Sequence, residues 1–221
     1  MNRKLIADYI RIQPQRVVTL DFEKGKIQYS NIKSGREIKD ISGDEEMARA
    51  FLLTRLANEL GYAPERIEIE HEYTAGRPHT ITSRIDVVVR DNKGDAFLFI
   101  EVKKPEGNDS YATIDKDKVI EEQLYKLAGM EKVDGHKVKY LVLYTVSDTA
   151  NKVADECIII DSEKYPTFQS WVDAGREYVN TLPARYGKAQ KIPFVKGSEK
   201  DLETDFTNET LVRLPPTLRL Q

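Results

Sequence analysis

The chain has 221 residues, 40% of them hydrophobic and 32% charged, a composition typical of a soluble globular protein with a single core. The net charge of −3 neither supports nor excludes a nucleic-acid partner, because a basic groove can lie on an acidic protein. No apolar run approaches the ~20 residues that span a bilayer, no signal peptide is expected at the N-terminus, and a single cysteine fits a reducing cytoplasm.

The first predicted elements are two strands and a helix. The pattern predicts short strands over 17–20 and 26–29 around a turn that contains Gly25. Apolar residues then recur near a 3.6-residue period over 44–60, capping residue types precede them, and Gly61 follows them. This combination predicts an amphipathic helix.

A cluster of strands follows, and helices and strands then alternate. Alternating apolar and charged residues predict a strand over 66–73, and a β-branched run predicts another over 85–89. A hairpin turn is predicted at 91–95, where Gly94 can adopt positive φ, before an apolar and central strand over 96–102. The remaining predicted elements are helices over 117–132 and 167–182 and strands over 139–146 and 157–160.

This order of elements predicts an α/β fold of the α+β kind, in which helices flank a mixed sheet. The core order is helix, three strands, helix and strand. We divide the chain into an N-terminal extension, 1–43, a central domain, 44–182, and a C-terminal extension or linker, 183–221, where a polar run follows Pro183.

Charged residues lie at the ends of the two hairpin strands, where each strand leaves the core. Glu101 and Lys103 are two residues apart, so they point to the same face of a strand. A hairpin centred near Lys93 places Asp86 opposite Glu101, with Cβ atoms about 5 Å apart. Two carboxylates at that distance repel each other unless a cation lies between them, which indicates a divalent metal site.

The residue types at this site fit Mg²⁺, with Mn²⁺ as a substitute. Asp86, Glu101 and the backbone carbonyl of Val102 offer the hard oxygen ligands that Mg²⁺ prefers. A bound metal assists deprotonation of water and stabilises charge on a phosphate, and Lys103 is placed to orient that water or to neutralise the phosphate. A lone Glu-x-Lys is common on solvated edge strands; the apolar strand before it and the acid at hairpin spacing favour catalysis.

Asp86, the hairpin and Glu101-Val102-Lys103 together resemble the signature of PD-(D/E)xK nucleases, whose core has a similar order of elements. Within that superfamily, the stretches GDEEMARAFLLTRLANELGY, SRIDVVV and FIEVKKPE are similar to the N-terminal nuclease domain of type I restriction enzyme R subunits. The resemblance covers about residues 44–146. Ile85 stands where the superfamily name has a proline, a position that varies in this branch.

The resemblance implies roles for two helix residues. An acid of the first helix can join the metal site, which points to Glu46, with Glu45 as the alternative. Acids in a first helical turn are also favoured by the helix dipole alone. A glutamine in the helix after the lysine strand is typical and matches Gln123, although Leu127 stands where that motif has a tyrosine.

Candidates for DNA contacts are Gln123, Arg84 and Lys104. Arg84 shares the face of Asp86 on its strand and is placed to reach a phosphate. Lys104 follows Lys103 and points away from it. For each of the three, a solvated surface position is the competing interpretation.

The resemblance implies a Mg²⁺-dependent endonuclease domain that hydrolyses phosphodiester bonds of double-stranded DNA in a restriction complex with specificity and methyltransferase subunits. The sequence has no P-loop, so ATP use would belong to a motor domain C-terminal to residue 221 of a longer protein; a free-standing nuclease or a methyltransferase fusion are the other arrangements. The competing functions are a catalytically silent nuclease-fold module for DNA binding or complex assembly, and a resolvase or repair nuclease.

Overall fold

A six-stranded mixed sheet lies at the centre of the residues that the computed structural model describes, which are 1–36, 38, 40–41, 43–75, 81–149 and 152–187. All of them fall within one compact unit, Met1–Lys191. In chain order the described elements are α1 (Arg3–Ile12), β1 (Val18–Asp21), β2 (Lys26–Tyr29), β3 (Lys33–Ser34), α2 (Asp44–Asn58), a 3₁₀ turn (Pro64–Arg66), β4 (Ile67–Ala75), β5 (Ile81–Arg90), β6 (Ala96–Val102), α3 (Lys116–Val119), a π-helical segment (Ile120–Tyr125), α4 (Lys126–Val133), β7 (Val138–Thr149), β8 (Lys152–Asp161) and α5 (Phe168–Asp173).

The strands of the sheet follow the order β3-β4-β5-β6-β7-β8. β3 with β4 and β6 with β7 are parallel, and the other neighbours are antiparallel. β1 and β2 form a separate hairpin whose turn contains Gly25 at a φ of 62°. This arrangement confirms the predicted mixed sheet and is consistent with a nuclease-like α+β fold.

Helices cover both faces of the sheet, because the central strands are apolar on both sides. Leu98 and Ile100 of β6 pack in the core that contains α1 and α2, whereas Phe99 packs in the opposite core with the helices over 116–133 and α5. Ten of the 15 residues of α2 are buried. The N-terminal helix and the β1–β2 hairpin contribute to the core of α2, within the segment predicted as an extension.

The C-terminal helix is shorter than predicted. The sequence predicts a helix over 167–182, but α5 ends at Asp173. Gly175 and Arg176 adopt positive φ, and their amides donate to carbonyls of the last helical turn, a typical C-terminal cap. The chain then extends, so that Val179 forms a bridge with β8. Residues 188–221, most of the predicted C-terminal extension, lie outside the described residues.

Candidate active site

Two acidic residues, Glu70 and Asp86, lie where the regular alternation of β4 and β5 is broken. Ile69 and Val87 pack in the core next to α2, but Ile85 packs in the opposite core although it is two residues from Val87. The pairing of β4 with β5 skips Glu70 and Asp86, and Glu70 has a positive φ of 52°. The break turns both carboxylates out of the regular sheet ladder.

The β5–β6 hairpin has the register that the sequence predicts. Val87 pairs with Ile100 and Val88 pairs with Phe99, and the same register extended by one residue would set Asp86 opposite Glu101. The pairing of β5 with β6 ends at Val87 and Ile100, and the next hydrogen bond to β6 is made by the side chain of Asp86.

The carboxylate of Asp86 replaces a backbone partner of β6. Its Oδ2 accepts a hydrogen bond of 2.7 Å from the backbone N–H of Val102. The acid is therefore fixed against the strand that carries Glu101 and Lys103.

A buried arginine of α2 joins three carboxylates. Arg49 is only 2% exposed, and its Nη2 lies 2.6 Å from Oδ1 of Asp86 and 2.8 Å from Oε1 of Glu70. Its Nη1 lies 2.9 Å from Oε2 of Glu46. Burial opposes a charged guanidinium, but the surrounding carboxylates, Asp86 first, outweigh that cost and raise the pKa of Arg49 above its ordinary value.

The two remaining oxygens of Glu46 and Glu70 are also bonded within the protein. The Tyr29 hydroxyl donates to Oε1 of Glu46, and Nε of Arg36 lies 2.7 Å from Oε2 of Glu70. Burial raises the pKa of Glu46, although Arg49 and the Tyr29 hydroxyl act in the opposite direction. Glu46 therefore links Tyr29 to Arg49 in a hydrogen-bonded network, in addition to lying near Asp86.

Glu101 and Lys103 lie beside Asp86 at the end of β6. Nζ of Lys103 is 2.7 Å from Oε1 of Glu101, which is 6% exposed. Burial and then the nearby charge of Asp86 raise the pKa of Glu101 above its usual range despite this cation. Burial disfavours the charged lysine, but Glu101 outweighs it and raises the pKa of Lys103, which is therefore a cation at neutral pH.

Glu45, the alternative helix acid, faces the same group. Its pKa is raised by burial and then by Asp86, and it interacts electrostatically with Lys103. Its carboxylate forms no hydrogen bond or ion pair with another of the described residues. Of the two acids that the sequence proposes in the first turn of α2, Glu45 is thus the one with unused oxygens.

The three residues proposed for DNA contacts lie outside this network. Arg84 is 44% exposed and pairs with Glu72 at 2.7 Å. Lys104 is partly buried, and its backbone carbonyl accepts from Tyr111. Gln123 lies in the π-helical segment, and its Oε1 is buried without a hydrogen-bond partner among the described residues.

Sequence reasoning missed Arg49, Glu70 and Tyr29 as parts of the site. A signal for Arg49 exists, because a charged residue flanked by Ala48 and Ala50 interrupts the apolar side of the α2 pattern. Glu70 and Tyr29 carry no comparable signal, since an acid or a tyrosine on a strand usually points to solvent.

The acids at the hairpin end fit Mg²⁺ in their chemistry. The described residues contain no group of three or more His, Cys, Asp or Glu side chains that could hold a metal ion without rearrangement. Mg²⁺, however, is usually bound through one or two carboxylates and keeps several waters. Burial first, and then the nearby charge of Asp86, raise the pKa of Glu101, and a divalent cation beside the pair would favour its ionised form.

A known protein family matches the part of the chain that carries this site. Residues 44–127 match a family model described as type I restriction enzyme R protein N terminus (HSDR_N). The match confirms the resemblance inferred from the sequence over that range, which contains Arg49, Asp86, Glu101 and Lys103. A comparison with curated proteins finds no match to the chain. No helix among the described residues has the length and apolar character needed to cross a membrane.

Proposed function

We propose that this chain is a Mg²⁺-dependent endodeoxyribonuclease domain of a type I restriction R subunit. The observation that carries the proposal is that Asp86, Glu101 and Lys103 meet at one end of the β5–β6 hairpin, inside the range that matches the family. The family match supports a role in a restriction system, and the residue types support hydrolysis of a phosphodiester bond.

Asp86, Glu101 and the carbonyl of Val102 would hold the ion, and Glu45 is the helix acid best placed to join them. A bound Mg²⁺ makes a water ligand easier to deprotonate and stabilises negative charge on a phosphate. Glu46, the acid first expected from the sequence, has one oxygen bonded to Arg49 and the other to the Tyr29 hydroxyl, and we assign it to support of Arg49. Asp86 also has both oxygens bonded, so it would hold the ion through the lone pairs that Arg49 and the Val102 N–H leave open.

Lys103 acts as a fixed cation in this proposal. Because Glu101 raises its pKa, Lys103 is protonated at neutral pH and is poorly suited to accept a proton from water. A protonated ammonium group can donate a hydrogen bond to the attacking water or to a phosphate oxygen. Its 2.7 Å contact with Glu101 holds the Nζ atom next to the position proposed for the ion.

Double-stranded DNA is the proposed substrate, with specificity and methyltransferase subunits as partners and ATP used by a motor domain outside this chain. Gln123 is one of the three proposed DNA contacts, but its unpartnered Oε1 is buried, so a contact through this oxygen would require the side chain to turn outward. Arg84 is engaged by Glu72, so a phosphate contact would require it to exchange partners.

Metal titration of the 221-residue chain tests the proposal. Calorimetry with Mn²⁺ should detect binding to the wild type and none to Asp86→Asn, while Asp8→Asn, an exposed acid of α1, should bind as the wild type does. Nicking of supercoiled plasmid is measured in the same samples. Binding and nicking that both depend on Asp86 support the nuclease, and binding without nicking favours a silent module. Equal binding by the wild type and Asp86→Asn would refute the metal site.

A further inference from the structure

A guanidinium group already occupies the space between three carboxylates on the α2 side of Asp86. Arg49 contacts Glu46, Glu70 and Asp86 within 2.9 Å, and it is nearly inaccessible to solvent. Charges this deeply buried are retained only when they are paired and hydrogen-bonded. Arg49 therefore provides positive charge where a cluster of acids would otherwise require a bound cation.

The net charge of the ionised groups around the site equals the charge that one divalent ion would neutralise. Five carboxylates belong to the connected group, and three cations are paired with them, so that two negative charges are left when all are ionised. The carboxylates are those of Glu45, Glu46, Glu70, Asp86 and Glu101, and the cations are those of Arg36, Arg49 and Lys103. A single Mg²⁺ neutralises this remainder, and a second would leave two uncompensated positive charges.

The available oxygens lie on one side of Asp86. Every carboxylate oxygen of Glu46 and Glu70 has a protein partner, so a cation there would have to displace an arginine or the Tyr29 hydroxyl. The carboxylate of Glu45 interacts electrostatically with Lys103 and has no hydrogen-bond or ion-pair partner among the described residues. The carboxylate oxygens that remain available to bind an ion therefore belong to Glu45 and Glu101.

We propose that Arg49 is a positioning residue that takes the place of a second metal ion, so that the site binds one divalent cation. The proposal rests on the proposed metal site. Two-metal nucleases clamp the reacting phosphate between ions about 3.5–4 Å apart. Here Arg49 and the Val102 N–H fix the two oxygens of Asp86 in place of that second ion.

The stoichiometry of Mn²⁺ binding to the full chain is the first test. One ion per chain is expected for the wild type at saturation. Two ions per chain would overturn the role of Arg49 while leaving the proposed nuclease intact. No binding at all would overturn the metal site itself, so the two failures are distinguishable.

Variants of Arg49 supply the second test. Arg49→Met leaves three buried carboxylates without their cation, so Mn²⁺ binding should rise from one to two ions per chain. In the double variant that carries both Arg49→Met and Glu46→Gln, Mn²⁺ binding should return to one ion per chain. Arg55→Met removes an arginine of the same helix whose partners, Glu59 and Asp155, lie outside the group around Arg49, and it should still bind one ion.

Thermal stability with added Mn²⁺, and the conservative variant Arg49→Lys, test the proposal even if Arg49→Met folds poorly. Arg49→Lys keeps one positive charge and should bind a single ion. Arg49→Met should instead gain thermal stability with added Mn²⁺ to a greater extent than the wild type, since the ion replaces the lost charge. A folded Arg49→Met chain that still binds one ion, or an Arg49→Lys chain that binds two, would overturn the proposal.

Discussion

Replacement of Arg49 by methionine should destabilise the fold far more than loss of an exposed arginine. Methionine has a similar length and no charge, so Glu46, Glu70 and Asp86 would remain buried without their common partner. Removing one member of a buried ion pair costs about 3–5 kcal/mol. The matched control is Arg84→Met, whose ion pair is about 40% exposed and contributes at most about 1 kcal/mol.

Urea unfolding followed by tryptophan fluorescence measures this difference, because the single tryptophan, Trp171, is 2% exposed and reports loss of the core. With a denaturant slope of about 2–3 kcal/mol per molar urea, Arg49→Met should lower the midpoint by about 1–2 M at pH 7. Arg84→Met should lower it by less than about 0.5 M. Equal midpoints for the two variants would refute the reasoning, since the carboxylates around Arg49 would then be no more dependent on their cation than a surface acid.

Three further predictions concern single positions. Lys103→Gln should bind Mn²⁺ as the wild type does but lose nicking, and retained nicking in the assembled enzyme would remove this lysine from the mechanism. Because the pKa of Glu101 is raised on folding, the metal-free protein should lose stability as the pH rises from 5 to 8, and Glu101→Gln should reduce that decline in melting temperature measured in EDTA. Gly35→Ala should lower the melting temperature, because a β-carbon there overlaps the carbonyl oxygen of Glu70. Gly129→Ala, at an exposed position of α4, should instead raise the melting temperature, since it adds about 0.5–1 kcal/mol of stability. Equal effects would contradict the close approach at Gly35.

The acids of the hairpin were predictable because they depend on local geometry. Asp86, Glu101 and Lys103 come from one hairpin, and the turn fixes which residues face each other. The side-chain period of two then assigns the face of each residue. These two rules need no knowledge of the rest of the fold.

The partners of those acids were not predictable in the same way. Arg49 reaches Asp86 from 37 residues earlier in the chain, and no local rule brings α2 to the middle of β5. The positive φ of Glu70 is also invisible in the sequence, because residues other than glycine rarely adopt it. Such a conformation persists only where surrounding contacts impose it, and here the ion pair with Arg49 and the approach of Gly35 supply them.

The missed and misplaced helices have different causes. α1 carries buried residues at helical spacing, Ile6 and Ile10, and a capping Asn2, so its signal was present but short. The helix predicted over 167–182 is too long because Gly175, at a φ of 77°, ends α5 soon after Asp173. In both cases one or two residues determine where the helix begins or ends, and a periodic pattern carries little information about such single positions.

The dependence of the site on distant residues extends upstream of the family match. Tyr29 donates to Glu46 and Arg36 pairs with Glu70, and both precede residue 44, where the match begins. They complete the set of partners around carboxylates that are largely buried, and a buried acid that loses a partner either destabilises the fold or takes up a proton. The hairpin β1–β2 and the segment after β3 therefore supply hydrogen-bond and ion-pair partners to Glu46 and Glu70, and through Arg49 they help to hold Asp86 in position. The chemistry lies in the β5–β6 hairpin, but its electrostatic support begins in the first 43 residues.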